Sequence, residues 1–216
     1  MSLLEDIMTR GAEIRTRLRD LLLRHKYDGN TKNMVLAAYV DIALEHHKAI
    51  WQLHESRLNG SALAMVRLVW DPYLRALWIN KVATEQQIEQ ASRDELRFPK
   101  MSKMREDIKQ AYGDKSDPEQ VEKLDEFFQR VKEAWEAMCS YTHSGGLQIG
   151  RRFTLDEVKP KYAEGVIAEA LNMATLALLL LLQMFFVSMA CYEEVKEVLT
   201  LIDQDKDLIE RLRSDQ

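Results

Sequence analysis

The clearest candidate for chemistry is the stretch CSYTHSGGLQIGRR at residues 139–152. His143 is followed by a serine and two glycines, and two arginines end the stretch. Glycines adopt backbone conformations that other residues avoid, and successive N–H groups in such a turn can form an anion-binding nest. The arginines could add positive charge, and a histidine exchanges protons near neutral pH. Composition alone favours a simpler interpretation, in which Gly145 terminates a helix and His143 lies near its negative end.

A second candidate is a mostly apolar helical segment that carries Arg67, Asp71 and Arg75 at four-residue spacing. Residues four apart share one helix face, so Arg67 and Asp71 can form an ion pair. Their neighbours are apolar, which favours burial, and an unpaired buried charge is costly. Arg67 therefore either stabilises the fold, which is the interpretation that we favour, or binds an anion in a pocket that it faces.

Three histidines, His46, His47 and His54, suggest a metal site at first sight. Two metal ligands on one helix should be three or four residues apart. His47 and His54 would be separated by about 10.5 Å along a helix axis, and the adjacent pair points in different directions. We therefore expect histidines at the edge of a core, and neither a metal nor a cofactor.

Composition indicates one globular domain over residues 1–216, with 46% hydrophobic and 30% charged residues. Only 8 glycines and 4 prolines occur, which favours long helices. A net charge of -5 argues against a broad basic surface, so DNA is not an expected partner. Cys139 and Cys191 form no disulfide or metal pattern, and the N-terminal segment shows no secretory signal. We expect a cytoplasmic protein.

One segment challenges the soluble interpretation, because residues 170–192 carry no charge. A bilayer span needs about 20 apolar residues. Against a span, four polar residues interrupt the segment (Asn172, Thr175, Gln183, Ser188), and no aromatic belt marks both ends. A helix that is apolar on all sides is also typical of the centre of a bundle. We predict a central apolar helix near 162–191 and keep a single membrane span as the alternative.

Helical periodicity dominates the chain, and no strand-like alternation or repeat is visible. Asn59-Gly60-Ser61 predicts a helix stop and start, with Gly60 in the left-handed conformation and Ser61 as a cap. Pro72 predicts a kink, or a break capped by Asp71. Other predicted boundaries are a capping box at Thr84-x-x-Gln87, a proline start at Asp117-Pro118 and a short turn from Thr154. The predicted fold is all-α, a single-domain up-and-down bundle of about six to eight helices.

Two segments, HHKAIWQLHESRLNGSALAMVRLVWDPYLRALWI and YTHSGGLQIGRRF, resemble a group of uncharacterised bacterial helical proteins related to the HEPN-like superfamily. That group combines a His-x-x-Ala-Ile helix, a Gly-Ser-Ala turn, an Arg-x-x-x-acidic helix and a Thr-His-x-Gly-Gly segment. The matching residues here are His47, Ser61, Arg67, Asp71, Trp78, His143, Gly145 and Gly146. Asp71 stands where the group usually has glutamate, and Pro72 follows it. The resemblance implies a bundle in which these polar residues converge, but it implies no activity.

Catalytic HEPN domains resemble ribonucleases that carry an Arg-x4-6-His motif, usually paired across a dimer. The required positions before His143 hold Glu136, Ala137 and Met138, so the motif is absent there. A formal match occurs in RDLLLRH, from Arg19 to His25, but so short a pattern arises easily by chance. A metal-independent ribonuclease that uses His25 or His143 is therefore an alternative function.

The sequence thus predicts a cytoplasmic homodimer that acts as a ligand-binding or regulatory module. Analogy with HEPN-like proteins suggests a role in bacterial stress or phage defence. The expected pocket residues are Arg67, Asp71, Tyr141, His143, Ser144 and Arg151. Arg67 and Arg151 would hold an anionic group, such as that of a nucleotide or RNA. His143 would donate a hydrogen bond or a proton, and Asp71 would orient Arg67 or His143. No membrane partner is expected.

Overall fold

The computed structural model describes residues 3–24, 29–112, 118–153 and 157–214. Over these ranges the chain forms nine helices, together with one isolated antiparallel bridge between Phe153 and Val158. The predicted all-α bundle is therefore confirmed. The helices are α1 (Leu3–Leu23), α2 (Thr31–Glu55), α3 (Asn59–Lys81), α4 (Glu85–Ser92), α5 (Met101–Tyr112), α6 (Pro118–Thr142), α7 (Gly146–Gly150), α8 (Glu164–Ser188) and α9 (Tyr192–Ser214).

Helix α8 is the predicted apolar helix, and it forms the centre of the bundle. It packs against α1, α2, α3 and α9, and its leucines and phenylalanines from Leu178 to Phe186 are almost all fully buried. Of the described helices, α8 is the one long and apolar enough to cross a membrane, and 67% of its most apolar window is buried within the protein. Its apolar character therefore has a structural explanation in core packing.

The connection between α2 and α3 differs from the predicted stop and start. Arg57, with φ 59°, takes the left-handed conformation, whereas Gly60 lies inside the first turn of α3. Leu58 occupies the N-cap position without a side-chain cap, so Ser61 is not the cap. Gly60 leaves room for the ends of two long side chains. A Cβ there would lie 2.5 Å from the Tyr162 hydroxyl and 2.8 Å from Arg152 Nη2.

Helix α3 continues through Pro72, which is buried, so the predicted break capped by Asp71 does not occur. The capping box at the start of α4 is confirmed, because the Gln87 N–H donates to Thr84 Oγ1 and the Thr84 N–H donates to Gln87 Oε1. The predicted turn at Thr154 lies outside the described residues. Helix α3 is thus one continuous element from Asn59 to Lys81, and it carries Arg67, Asp71 and Arg75.

Candidate functional site

The structure brings Arg67 of α3 and His143 of the α6 terminus together. Arg67 Nη1 lies 2.8 Å from His143 Nε2, and the Arg67 guanidinium lies over the Trp135 ring, 4.8 Å from its centroid. Because arginine only donates hydrogen bonds, Nε2 is the acceptor and the proton of the neutral ring is on Nδ1. Arg67 is partly buried and His143 is exposed. We call Arg67, Trp135 and His143 the outer triad.

The end of α6 positions His143. The Thr142 hydroxyl lies 2.9 Å from Met138 O and 3.1 Å from Ala64 O, so its single proton is shared between them or donated to one, and the contact with Ala64 joins the end of α6 to α3. Ser144 then adopts the left-handed conformation, with φ 54°, and the Gly145 N–H donates to Ser140 O. These features define a helix C-terminus closed by a left-handed residue.

Gly145 follows the left-handed residue and has a φ of -75°. It is needed for a close approach: a Cβ there would lie 2.6 Å from Ser140 Oγ. The same Oγ accepts a hydrogen bond from the Leu147 N–H at the start of α7. The N–H groups of His143, Gly145 and Leu147 are thus bonded internally, so the predicted backbone nest lacks these three donors.

The predicted pair between Arg67 and Asp71 does not form. Asp71 Oδ2 accepts a hydrogen bond from Arg75 Nε at 2.6 Å instead. Arg67 turns towards α6, where Trp135 supplies an aromatic face and His143 supplies an acceptor. Asp71 therefore orients Arg75, and no recorded contact joins it to the outer triad.

The remaining predicted site residues lie in different environments. Tyr141 is buried, with 9% of its surface exposed, and Ser144 contributes its backbone conformation. Arg151 caps the end of α7, where its carbonyl accepts a hydrogen bond from the Lys161 N–H. Its guanidinium has no recorded partner among the described residues. His25, one of the two ribonuclease candidates, lies outside the described residues.

The three histidines of α2 face different surroundings and share no ion site. His47 is fully buried rather than at the edge of the core. His54 Nδ1 lies 2.7 Å from Asn59 Oδ1, and His46 lines a cavity beside α3. In the part of the chain that the structure describes, no group of three or more histidine, cysteine or acidic residues could hold a metal ion.

Sequence reasoning missed that cavity, which has a volume of about 260 Å³ and lies between α2, α3, α4 and the segment after α4. Asp71 and Arg75 line it, and the Arg75 guanidinium lies over Phe98. Three separate parts of the chain form the wall of the cavity. The spacing of Asp71 and Arg75 was therefore the one local sequence pattern that could have indicated this cavity.

The outer triad has an unusual charge balance. A guanidinium has five N–H donors, and Arg67 uses one of them on a neutral imidazole. No carboxylate among the described residues pairs with it. The arrangement can therefore accept an anion, with the remaining Arg67 N–H groups supplying the charge and the hydrogen-bond donors.

Comparisons with known proteins place the chain in a family and leave its activity open. A family of unknown function (DUF6988) matches residues 40–203, a range that includes Arg67, Trp135 and His143. No curated protein matches the chain, and no solved structure does. Since the match covers well over half of the chain, the protein belongs to this family of unknown function.

Proposed function

We propose that the protein is a binding module for an anionic ligand, which the outer triad holds. The observation that carries the proposal is the state of Arg67. It is a partly buried cation, supported by Trp135 and His143, with no carboxylate partner among the described residues. Withdrawing a guanidinium partly from water favours pairing with an anion, and here a ligand would supply it.

The geometry favours a phosphate or carboxylate group. The planar fork of arginine matches both in a bidentate manner, and stacking on Trp135 fixes the plane of the fork. The net charge of -5 does not favour a long duplex. A nucleotide or a short single-stranded RNA therefore fits better than DNA.

Analogy with the HEPN-like superfamily supports RNA as the source of the phosphate, and a cytoplasmic homodimer in stress or phage defence as its setting. Cleavage of that RNA is a second candidate function. It is favoured by the exposure of His143, which could transfer a proton beside the positive charge of Arg67.

Thermal unfolding with inorganic phosphate, adenosine nucleotides and a short oligouridylate tests the binding function. A ligand at 100 times its Kd should stabilise the wild type by about 2.7 kcal/mol. We expect Arg67→Ala to abolish this shift and Arg67→Lys to reduce it strongly, because lysine lacks the fork. Arg93→Ala is the matched control, since Arg93 is exposed and pairs with Glu89. An unchanged shift in Arg67→Ala, or an equal loss in Arg93→Ala, would contradict the proposal.

Incubation of labelled RNA with the protein and a metal chelator tests cleavage. Products that disappear in His143→Ala and persist in Arg93→Ala would support the ribonuclease candidate. Binding without products would leave the module as a binding protein alone.

A further inference from the structure

The cavity between α2, α3 and α4 holds a second group of ionisable residues, which includes no member of the outer triad. Tyr39 and His46 come from α2, Asp71 and Arg75 come from α3, and Asp94 follows α4. The remaining wall is mainly apolar. The cavity thus has a mixed lining, in which polar groups converge beside apolar side chains, as they do in small-molecule sites.

The charges in this cavity do not balance. The Arg75 guanidinium is committed to Asp71 at 2.6 Å and to the face of Phe98 at 4.6 Å. Asp94 has no ion pair with any described residue. Nearby Arg93 does not neutralise it, because Arg93 pairs with Glu89. The exposed Asp94 carboxylate therefore borders the cavity without a protein cation paired to it.

The backbone conformation explains how Asp94 is held beside the cavity. Its φ is 57°, and the Glu95 N–H donates to Gln90 O, so Asp94 is the left-handed residue that closes α4. Glycine and asparagine are the usual residues in this conformation. Aspartate fulfils the same backbone role and also brings a negative charge to the cavity.

Tyr39 supplies a neutral hydroxyl among these charges. Burial raises its pKa to about 12, where Arg75 opposes the shift and Asp71 and Asp94 add to it. The hydroxyl is therefore un-ionised at neutral pH, and it has no recorded hydrogen-bond partner among the described residues. Its oxygen can accept a hydrogen bond from a ligand N–H.

We propose that this cavity binds a small organic cation, an ammonium group on a compact apolar body. The Asp94 carboxylate is its counter-ion, and the Tyr39 oxygen accepts one ammonium N–H. Ile42, Leu68 and Leu96 contact the apolar body. The site is independent of the proposed anion function, because it selects the opposite charge with other residues.

The test compares 2-phenylethylamine with the uncharged 2-phenylethanol by isothermal titration at pH 7. We expect the amine to bind and the alcohol to bind on the order of tenfold more weakly, because it lacks the charge that Asp94 neutralises. Equal binding of the two compounds would overturn the cation assignment. Absence of binding by the amine, and by tyramine as a second amine, would overturn the site.

Asp94→Asn is the decisive variant, because asparagine tolerates the left-handed backbone and removes only the charge. We expect amine affinity to fall about tenfold with an unchanged melting temperature. The matched control is Asp125→Asn on α6, whose exposed carboxylate pairs with Lys109. Arg67→Ala should also leave amine binding unchanged. An Asp94→Asn variant that binds the amine as tightly as the wild type would refute the proposal.

Discussion

The protein contains two groups of the same three residue types, and their surroundings differ. The outer triad joins Arg67 to His143 at 2.8 Å, with Arg67 over Trp135. An inner triad joins Arg15 to His47 at 3.3 Å, with Arg15 over Trp51, 5.0 Å from its centroid. His47 is fully buried and stacks on Trp51, whereas His143 is exposed.

Every polar atom of the inner imidazole is satisfied within the protein. His47 Nδ1 accepts from Arg15, and Nε2–H donates to Thr175 Oγ1 at 3.0 Å. Thr175 in turn donates to Leu171 O. Burial lowers the pKa of His47, and the charge of Arg15 lowers it further. The inner triad is therefore closed to ligands and links α1, α2 and α8, whereas the outer triad keeps free donors towards solvent.

The largest expected effect is the difference between the two histidines in their contribution to the free energy of unfolding. His47→Ala leaves a cavity and removes the partner of Thr175 and Arg15, so we expect a loss of about 3 kcal/mol in the free energy of unfolding. His143→Ala at the surface should change it by less than about 0.5 kcal/mol. Urea unfolding measures both values, and equal losses would contradict the distinction between the triads.

A smaller effect is the expected dependence of the free energy of unfolding on pH, which His47 should produce. Because the folded pKa of His47 is lowered, the unfolded chain binds more protons below about pH 6.5, and the native state loses stability as the pH falls. The loss should approach 1.4 kcal/mol per pH unit, about the value for one proton, until the folded pKa is reached. Above pH 6.5 this contribution is fully present.

Urea midpoints between pH 5 and pH 7.5 measure that dependence. His47→Gln should remove it, whereas His143→Gln should retain it. A wild type and a His47→Gln variant with parallel pH profiles would show that His47 titrates normally in the fold.

The features that depend on local sequence pattern were predicted correctly. They include the helical fold class, the apolar helix α8 and the capping box of α4. The approach of Arg67 to His143 was expected only through a family resemblance, because periodicity does not relate residues so far apart in the chain. The predicted ion pair between Arg67 and Asp71 was wrong. Helix spacing shows only that the two residues share a face, whereas packing against α6 determines the direction of the Arg67 side chain.

The sequence contains a pattern that indicates the burial of His47. Ala43, His47, Ile50 and Trp51 follow the three- and four-residue spacing of a core stripe, and all four are buried. The cavity around Asp94 had no comparable signal, since its shape depends on how α4 and the following segment lie against α2 and α3.

The smallest expected effect concerns the turn that presents the outer histidine. Ser144 carries a Cβ at φ 54°, a conformation that favours glycine. Ser144→Gly should therefore stabilise the protein by about 0.5 kcal/mol, as measured by urea unfolding. Gly145→Ala should have the opposite sign, because its Cβ would meet Ser140. A Ser144→Gly variant that is less stable than the wild type would show that the left-handed turn holds no strain that glycine can relieve.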